Sequence, residues 1–236
     1  MKGAIMQPTY LPWPGYFELI SAVDIFVIYD HVQFVRKSWH QRNRIRGSNG
    51  EIMLSVPVKK APQETSISKI EISYDGKDPL QEHWKTISMA YQKARYFKNY
   101  AFLLEKVFSR KHILLCDLNT ELIKVICAIL PLSPRFVSSQ MLDLDDSALG
   151  KTERVANICR KTGIDFLYDA NGAQTFLDSD ALREDGIRIE YQNYVFPEYR
   201  QVFQPFIPYL SVIDMIFNEG PSALEILKSG TNRPNA

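Results

Sequence analysis

Three short stretches hold the side chains from which a reaction centre could be assembled. In the loop over residues 7–15 (QPTYLPWPG), Tyr10 and Trp13 present faces on which a sugar or base can stack, and Gln7 supplies an amide. Aromatic side chains on loops usually serve a contact. The competing reading is that Trp13 and the prolines only pack the loop onto the body. Asp30 is the second candidate, with Gln33 just beyond it. A carboxylate that ends an apolar run can act as a general base or accept a substrate hydroxyl. It can equally cap a turn or pair with Arg42 or Arg44.

The third stretch is Trp39-His40-Gln41-Arg42-Asn43-Arg44. Guanidinium groups grip phosphate or carboxylate through paired N–H bonds, and Asn43 adds a donor. A charge run is ordinarily a solvated face, and Arg36, Lys37 and Arg46 are assigned to that face. His40, beside the arginines, is expected to have a lowered pKa suited to proton transfer. Lys59 joins the anion site if its strand returns to the same edge. Asn171 offers backbone amides to a ligand or makes an ordinary turn, and Gln192, with Tyr199 and Gln201, suits hydroxyl recognition. Ser211 and Asp214 share a helix face, with Ser211 a helix N-cap in the plainer reading. His83 reads as a helix-surface histidine, His31 is ambiguous, and His112 is structural or exposed.

Several chemistries are left without support. The four histidines show no H-x-x-x-H and no zinc-motif spacing to a cysteine, so no metal ligand is named. G-x-S-x-G, Walker and G-x-G-x-x-G patterns are absent, and no motif requires a cofactor. Net charge is +1, from 28 Lys+Arg against 27 Asp+Glu, so any preference for anions must be local. Nucleic acid is therefore not the expected partner. The three cysteines lie in apolar contexts, and no apolar run nears the roughly 20 residues that span a bilayer. With no signal-peptide pattern at the start, the expectation is a reduced, cytoplasmic protein.

The elements that must position these residues follow from periodicity. A strand over residues 2–6 stops at the proline-rich loop, helical spacing begins at Tyr16, and residues 24–30 (DIFVIYD) read as a buried strand. Strand, loop, helix and strand form a βαβ unit, so the opening strand and residues 24–30 should be parallel neighbours. Ser48-Asn49-Gly50 marks a turn, with strands expected over 51–58 and 67–73. Helices are expected over 79–94, 97–109 and 118–130, the last capped by Asp117 or Asn119, and together they form a helical insert over about 79–132. Strands at 135–141, 165–169 and 187–191 alternate with helices at 151–162, stopped by Gly163, and at 177–184, with a last helix over 211–217. With 236 residues, 45% hydrophobic and 23% charged, the chain is predicted to be one α/β domain with a mostly parallel sheet covered by helices.

The order QPTYLPWPGYF, then D-x-F-V-x-Y-D-x-V-Q-F, then W-x-x-R-N-R-I resembles the WbqC-like family, bacterial proteins associated with O-antigen and other surface-polysaccharide gene clusters. Gly172-Ala173, Tyr191-Gln192 and residues 208–220 (PYLSVIDMIFNEG) extend the resemblance along nearly the whole chain. It implies a setting in surface-glycan synthesis. The opening unit, with its Thr-x-x-Pro loop, is also similar to that of nucleotidylyltransferases. Gly15-Tyr16 stands where those enzymes carry Gly-His, so the likeness concerns architecture and not chemistry.

The combined reading is a transferase of O-antigen biosynthesis acting on a nucleotide-activated or lipid-linked sugar, moving a glycosyl, acyl or aminoacyl, or nucleotidyl group. Arg42, Asn43 and Arg44 would hold an anionic nucleotide-sugar or acyl donor, with Trp39 and Lys59 nearby. Tyr10 and Trp13 would stack, and Asp30, with His40, would handle the proton. Gln7, Gln33 and Gln192 would orient the acceptor. Gln7, Tyr10, Asp30, Arg42 and Arg44 are expected to line one pocket. A non-catalytic protein that binds a nucleotide-sugar or glycan is the alternative, and RNA binding through residues 36–46 a third.

Overall fold

β1 (Lys2–Met6) and β2 (Ile25–Ile28) lie side by side and parallel, in register from Gly3↔Ile25 to Met6↔Ile28. α1 (Pro14–Ser21) joins them, with Pro14 in its first turn, where the missing N–H costs nothing. This is a computed structural model, and it describes residues 1–145 and 148–231. β5 (Arg135–Ser138), β6 (Phe166–Asp169) and β7 (Arg188–Tyr191) complete a parallel sheet in the order β5-β2-β1-β6-β7.

That order places β1 at the centre. The chain first builds outward to β2 and β5, then crosses back to lay down β6 and β7. The direction of winding reverses between β1 and β6, which makes that gap the switch point of a doubly wound sheet. Pairing there covers only Lys2↔Phe166 and Gly3↔Leu167, while the flanking ladders run on to Met6↔Ile28 and Asp169↔Tyr191. Toward their carboxyl ends β1 and β6 therefore part.

Strand pleating sends alternate residues to opposite faces. Ala4, Phe26 and Ile28 enter a large core with Tyr16, Phe17 and Ile20 of α1. The same core takes in α2 (Pro79–Tyr91), α3 (Phe97–Phe108), α4 (Leu115–Ile129), α7 (Val212–Glu219) and α8 (Ala223–Ser229). Ile5, Ile25, Val27 and Leu167 face the other way, onto Val155, Ile158 and Cys159 of α5 (Lys151–Thr162) and Leu182 of α6 (Ser179–Glu184). No described helix is long and apolar enough to cross a membrane.

Four expectations are corrected. Residues 67–73 form no strand: Ile67–Lys69 is a 3-10 turn, followed by isolated bridges Val58↔Ile72 and Glu71↔Leu114. Ile67 and Ile70 are both buried, and their spacing of three suits a tight turn better than an alternating ladder. The charge run contains a strand, because β3 (Arg42–Gly47) pairs antiparallel with β4 (Gly50–Ser55) around Ser48-Asn49. α4 starts at Leu115 without a side-chain cap, leaving Asp117 in its first turn and Asn119 fully buried. Arg46 is not solvated: it is 2% exposed, donates to the Gly47 and Pro205 carbonyls, and lies over the Phe203 ring.

Candidate functional site

The loop after β1 is embedded in the fold. Three prolines remove backbone donors, so its carbonyls and remaining N–H groups must find partners elsewhere. Asn119 Nδ2 donates to the Pro8 and His40 carbonyls at 3.1 and 2.8 Å, and Asn43 Nδ2 to those of Tyr10 and Leu11 at 3.2 and 2.7 Å. Tyr10 is fully buried, its N–H on the Trp39 carbonyl and its hydroxyl 2.7 Å from His83 Nδ1. The Tyr16 hydroxyl donates to the Gln7 carbonyl. Trp13 is half-buried, edge-on to Tyr194 and stacked on Phe196 with its ring at 15°. Tyr10, Asn43 and Asn119 thus tie sheet, hairpin and helices together.

His40 is likewise built in. The Val35 N–H points at its Nδ1, which assigns the proton to Nε2, and Nε2 donates to Gln7 Oε1 at 2.8 Å. Burial pushes the imidazole down to about 4, so it is neutral at pH 7. The lowering anticipated from neighbouring arginines is present, but its cause is desolvation. His83 is also pushed to about 4 by burial and is no surface residue, since Tyr10 and the Ser55 carbonyl hold it. His112 is buried against the Val107 carbonyl.

Asp30 staples the carboxyl ends of β2 and β5. Its Oδ1 accepts from Ser139 Oγ at 3.0 Å and the Gln140 N–H at 2.9 Å. Its Oδ2 accepts from Ser138 Oγ at 2.5 Å and lies 3.9 Å from the Cys116 thiol. Ser139 Oγ also takes the Asp30 N–H and stands 2.6 Å from His31 Nδ1. Asp30 therefore fixes Ser139, and Ser139 fixes His31.

Two adjoining depressions open beyond these strand ends. One, of about 410 Å³, is lined by Gln33, Arg36, Lys59 and Gln63 among apolar walls at Phe34, Val35, Pro62 and Ile70. The other, of about 530 Å³, is polar, with His31, Glu64, Ser66, Ser68, Lys69 and Gln140 around it. Pro62 belongs to both. Of the residues singled out from sequence, Gln33 and Lys59 stand here; Lys59 pairs with Glu71 at 2.6 Å, a contact that raises its pKa. Gln7, Tyr10, Asp30, Arg42 and Arg44, expected to line one pocket, are not in either wall.

Arg42 and Arg44 differ sharply. Arg44 holds Glu51 at 3.0 Å, donates to the Tyr209 carbonyl and lies 5.6 Å from the exposed Trp39 ring. The Arg42 guanidinium has no hydrogen-bond or ion-pair partner among the described residues, and its Nε is sealed from solvent. Asn171 is exposed, its Oδ1 taken by Gln174. Gln192 is buried; its Nε2 donates to the Gly15 carbonyl at 2.8 Å and to Glu18 at 2.5 Å, where the Tyr168 hydroxyl also donates. Ser211 caps α7 at the Ile213 N–H, and Asp214 accepts from Tyr199 and Gln201.

Sequence reasoning missed two carboxylates. Glu18, buried on α1, anchors Gln192 and Tyr168. Asp169 ends β6 at the switch point, 7% exposed, and among the described residues its Oδ1 accepts only the Ala170 N–H, at 2.7 Å. Burial pushes its carboxyl up to about 6. Its place at the end of the run Phe166–Asp169 was the available signal, the same one that singled out Asp30.

A parallel doubly wound sheet flanked by helices, with two depressions and their cations beyond its carboxyl edge, defines an α/β protein. The chain belongs to the WbqC-like protein family, whose model matches residues 7–226. It is similar to Rv1507c of Mycobacterium tuberculosis, an uncharacterised protein, with 35% identity over 230 residues covering 96% of this chain and 97% of that one. No solved structure matches the chain.

Proposed function

We propose that this protein is a transferase of surface-polysaccharide synthesis that binds a nucleotide-activated or lipid-linked sugar at the carboxyl edge of its sheet. The observation that carries the reading is the set of cations around the two depressions at that edge, Arg36, Lys59 and Lys69, with His31 held in place beside them by Ser139. Outside those walls, the Arg42 guanidinium also lacks a partner among the described residues, in a run whose other β3 arginines are engaged. A cation part-buried without a carboxylate is costly unless an anion joins it. Fixed cations suit a reaction whose leaving group is a phosphate or pyrophosphate. The exposed Trp39 ring supplies an aromatic face for a sugar or base, whereas Trp13 is packed against Tyr194 and Phe196.

The test is a thermal-shift screen with nucleotides, nucleotide-sugars and acyl donors, followed by mass detection of products. A ligand at a hundred times its dissociation constant adds about 2.7 kcal/mol of stability, well within reach of that measurement. A stabilising donor that is consumed with an acceptor supports the transferase. A stabilising donor never consumed supports the second reading, a binding protein, which the neutral His40 and the fully occupied Asp30 favour. No stabilisation by any phosphorylated donor sinks both.

A further inference from the structure

We infer that the Asp169 carboxylate, where β1 and β6 part, is the base that takes the proton from the attacking hydroxyl or amine of the acceptor. Asp169 has this role only if the chain is the transferase proposed above. In the step, an acceptor O–H or N–H gives its proton to Asp169 Oδ2. The oxygen or nitrogen then bonds to the electrophilic carbon or phosphorus of the donor. The bond from that carbon or phosphorus to the donor's phosphate oxygen breaks, the leaving group departs with the bonding electrons (a nucleoside diphosphate when the donor is a nucleotide-sugar), and the proton on Asp169 passes to it or to water.

The two strand-end aspartates differ in what their oxygens already do. A general base needs a lone pair within reach of the substrate and a pKa near the working pH. Asp30 fails the first need: both oxygens are filled by Ser138, Ser139 and the Gln140 N–H. At Asp169, Oδ1 holds the Ala170 N–H, while Oδ2 has no hydrogen-bond partner among the described residues. A carboxylate is a poor choice for a site this buried unless something visits it. Evolution of a stable fold alone would favour an amide or an apolar residue here.

The surroundings point the same way. The register that pairs Gly3 with Leu167 is abandoned before it reaches Asp169, so β1 does not close over this end of β6. Across β7 its register partner is Tyr191, whose hydroxyl lies 3.0 Å from Ser179 Oγ. From α5 the facing group is Cys159, with its thiol pushed up to about 12 by burial and so uncharged. Among the described residues no cation pairs with Asp169, and burial pushes its carboxyl up to about 6.

The experiment has an arm without ligand and an arm with one. Thermal midpoints of the wild type, Asp169→Asn and Asp169→Ser are measured from pH 4 to pH 8. The folded pKa lies above the unfolded value, so the carboxylate's penalty is absent below about 3.8 and fully present above about 6. Removing it should raise the midpoint by about 5 °C at pH 8 and have no effect at pH 4. A variant that melts lower than the wild type at pH 8 makes Asp169 a structural group and overturns the inference; Asp169→Ser covers the case of an amide that fits badly. In the second arm, UDP-glucose and the other donors of the screen are incubated with sugar acceptors. Asp169→Asn should bind donor within twofold of wild type and lose about 100-fold or more in turnover, with the rate limb near pH 6 gone. Undiminished turnover in the variant overturns the inference while leaving the transferase intact. A wild type that turns over no donor removes the transferase, and the base with it.

Discussion

Asp30 shows how a residue can be well placed for chemistry and already committed to structure. Two hydroxyls and a backbone N–H converge on its oxygens, and hydrogen bonds to a charged acceptor are worth roughly 1.5–3 kcal/mol each. Asp30→Ala would leave those donors facing nothing, so it should cost about 3 kcal/mol in a urea titration and loosen His31 through Ser139. A variant as stable as wild type would show that the staple carries no weight. The arginines of β3 give the converse case. Arg44→Ala breaks a partly exposed pair with Glu51 and should cost at most about 1 kcal/mol. Arg42→Ala removes a guanidinium that pairs with nothing among the described residues and should leave stability unchanged or raised, while weakening phosphate-donor binding about tenfold or more. If Arg44→Ala weakens the donor more than Arg42→Ala does, the anion site is misassigned. The residue types of this edge were legible in the sequence. What was hidden is which of them the fold would use up, because Ser138 and Cys116 lie about a hundred positions from Asp30 in the chain.

At the scale of elements, the opening loop and α1 depend on a single missing side chain. Gly15 lies beneath the Trp13 ring, and a Cβ there would sit 2.3 Å from the indole Cη2. The indole cannot simply swing away, since Tyr194, Phe196 and Tyr209 pack around it. Gly15→Ala should therefore cost about 1–3 kcal/mol and change the tryptophan emission spectrum, whereas alanine in an open first turn would be neutral or helpful. An unchanged spectrum together with unchanged stability would mean the contact is not tight in solution. β1, α1, β2 and the strand–helix alternation after Arg135 were readable because short apolar runs alternate there with helical spacing, and Gly163 stops α5 in the left-handed conformation its position demanded. β3 was not, because its residues Arg42, Asn43, Arg44 and Arg46 look like solvated charge. Only the burial of Ile45 and Arg46 against α2, α7 and the 203–205 segment explains why that run extends. α8 escaped because it is short and follows a proline with no separate cap.

For the molecule as a whole, the alternation of elements implied a parallel sheet, but the order of its strands depends on a crossover from β2 to β5 that carries a hairpin and three helices. No local signal says where so long a connection returns. That order sets which titratable groups become buried, and their sum governs the response to acid. His40 and His83 have folded pKa values of about 4, below the ordinary 6.5, so the unfolded chain binds protons that the folded one refuses. Their contribution is complete above pH 6.5 and is lost as pH falls toward 4; His112 acts in the same direction. Asp169 opposes them, because its raised pKa gains stability as pH falls from about 6 toward 3.8, and Asp214, also raised by burial, acts with it. Between pH 7.5 and pH 5, each of the two histidines should withdraw about 2 kcal/mol, and Asp169 should return about 1. His83→Gln keeps an acceptor for the Tyr10 hydroxyl but cannot titrate. Its deficit against wild type, measured by urea midpoints, should therefore shrink by about 2 kcal/mol on going from pH 7.5 to pH 5. Asp169→Asn should move the other way, its advantage at pH 7.5 falling by about 1 kcal/mol over the same interval. A His83 deficit that stays constant with pH would show that this ring titrates normally in the fold, and that burial beside Tyr10 does not hold it neutral.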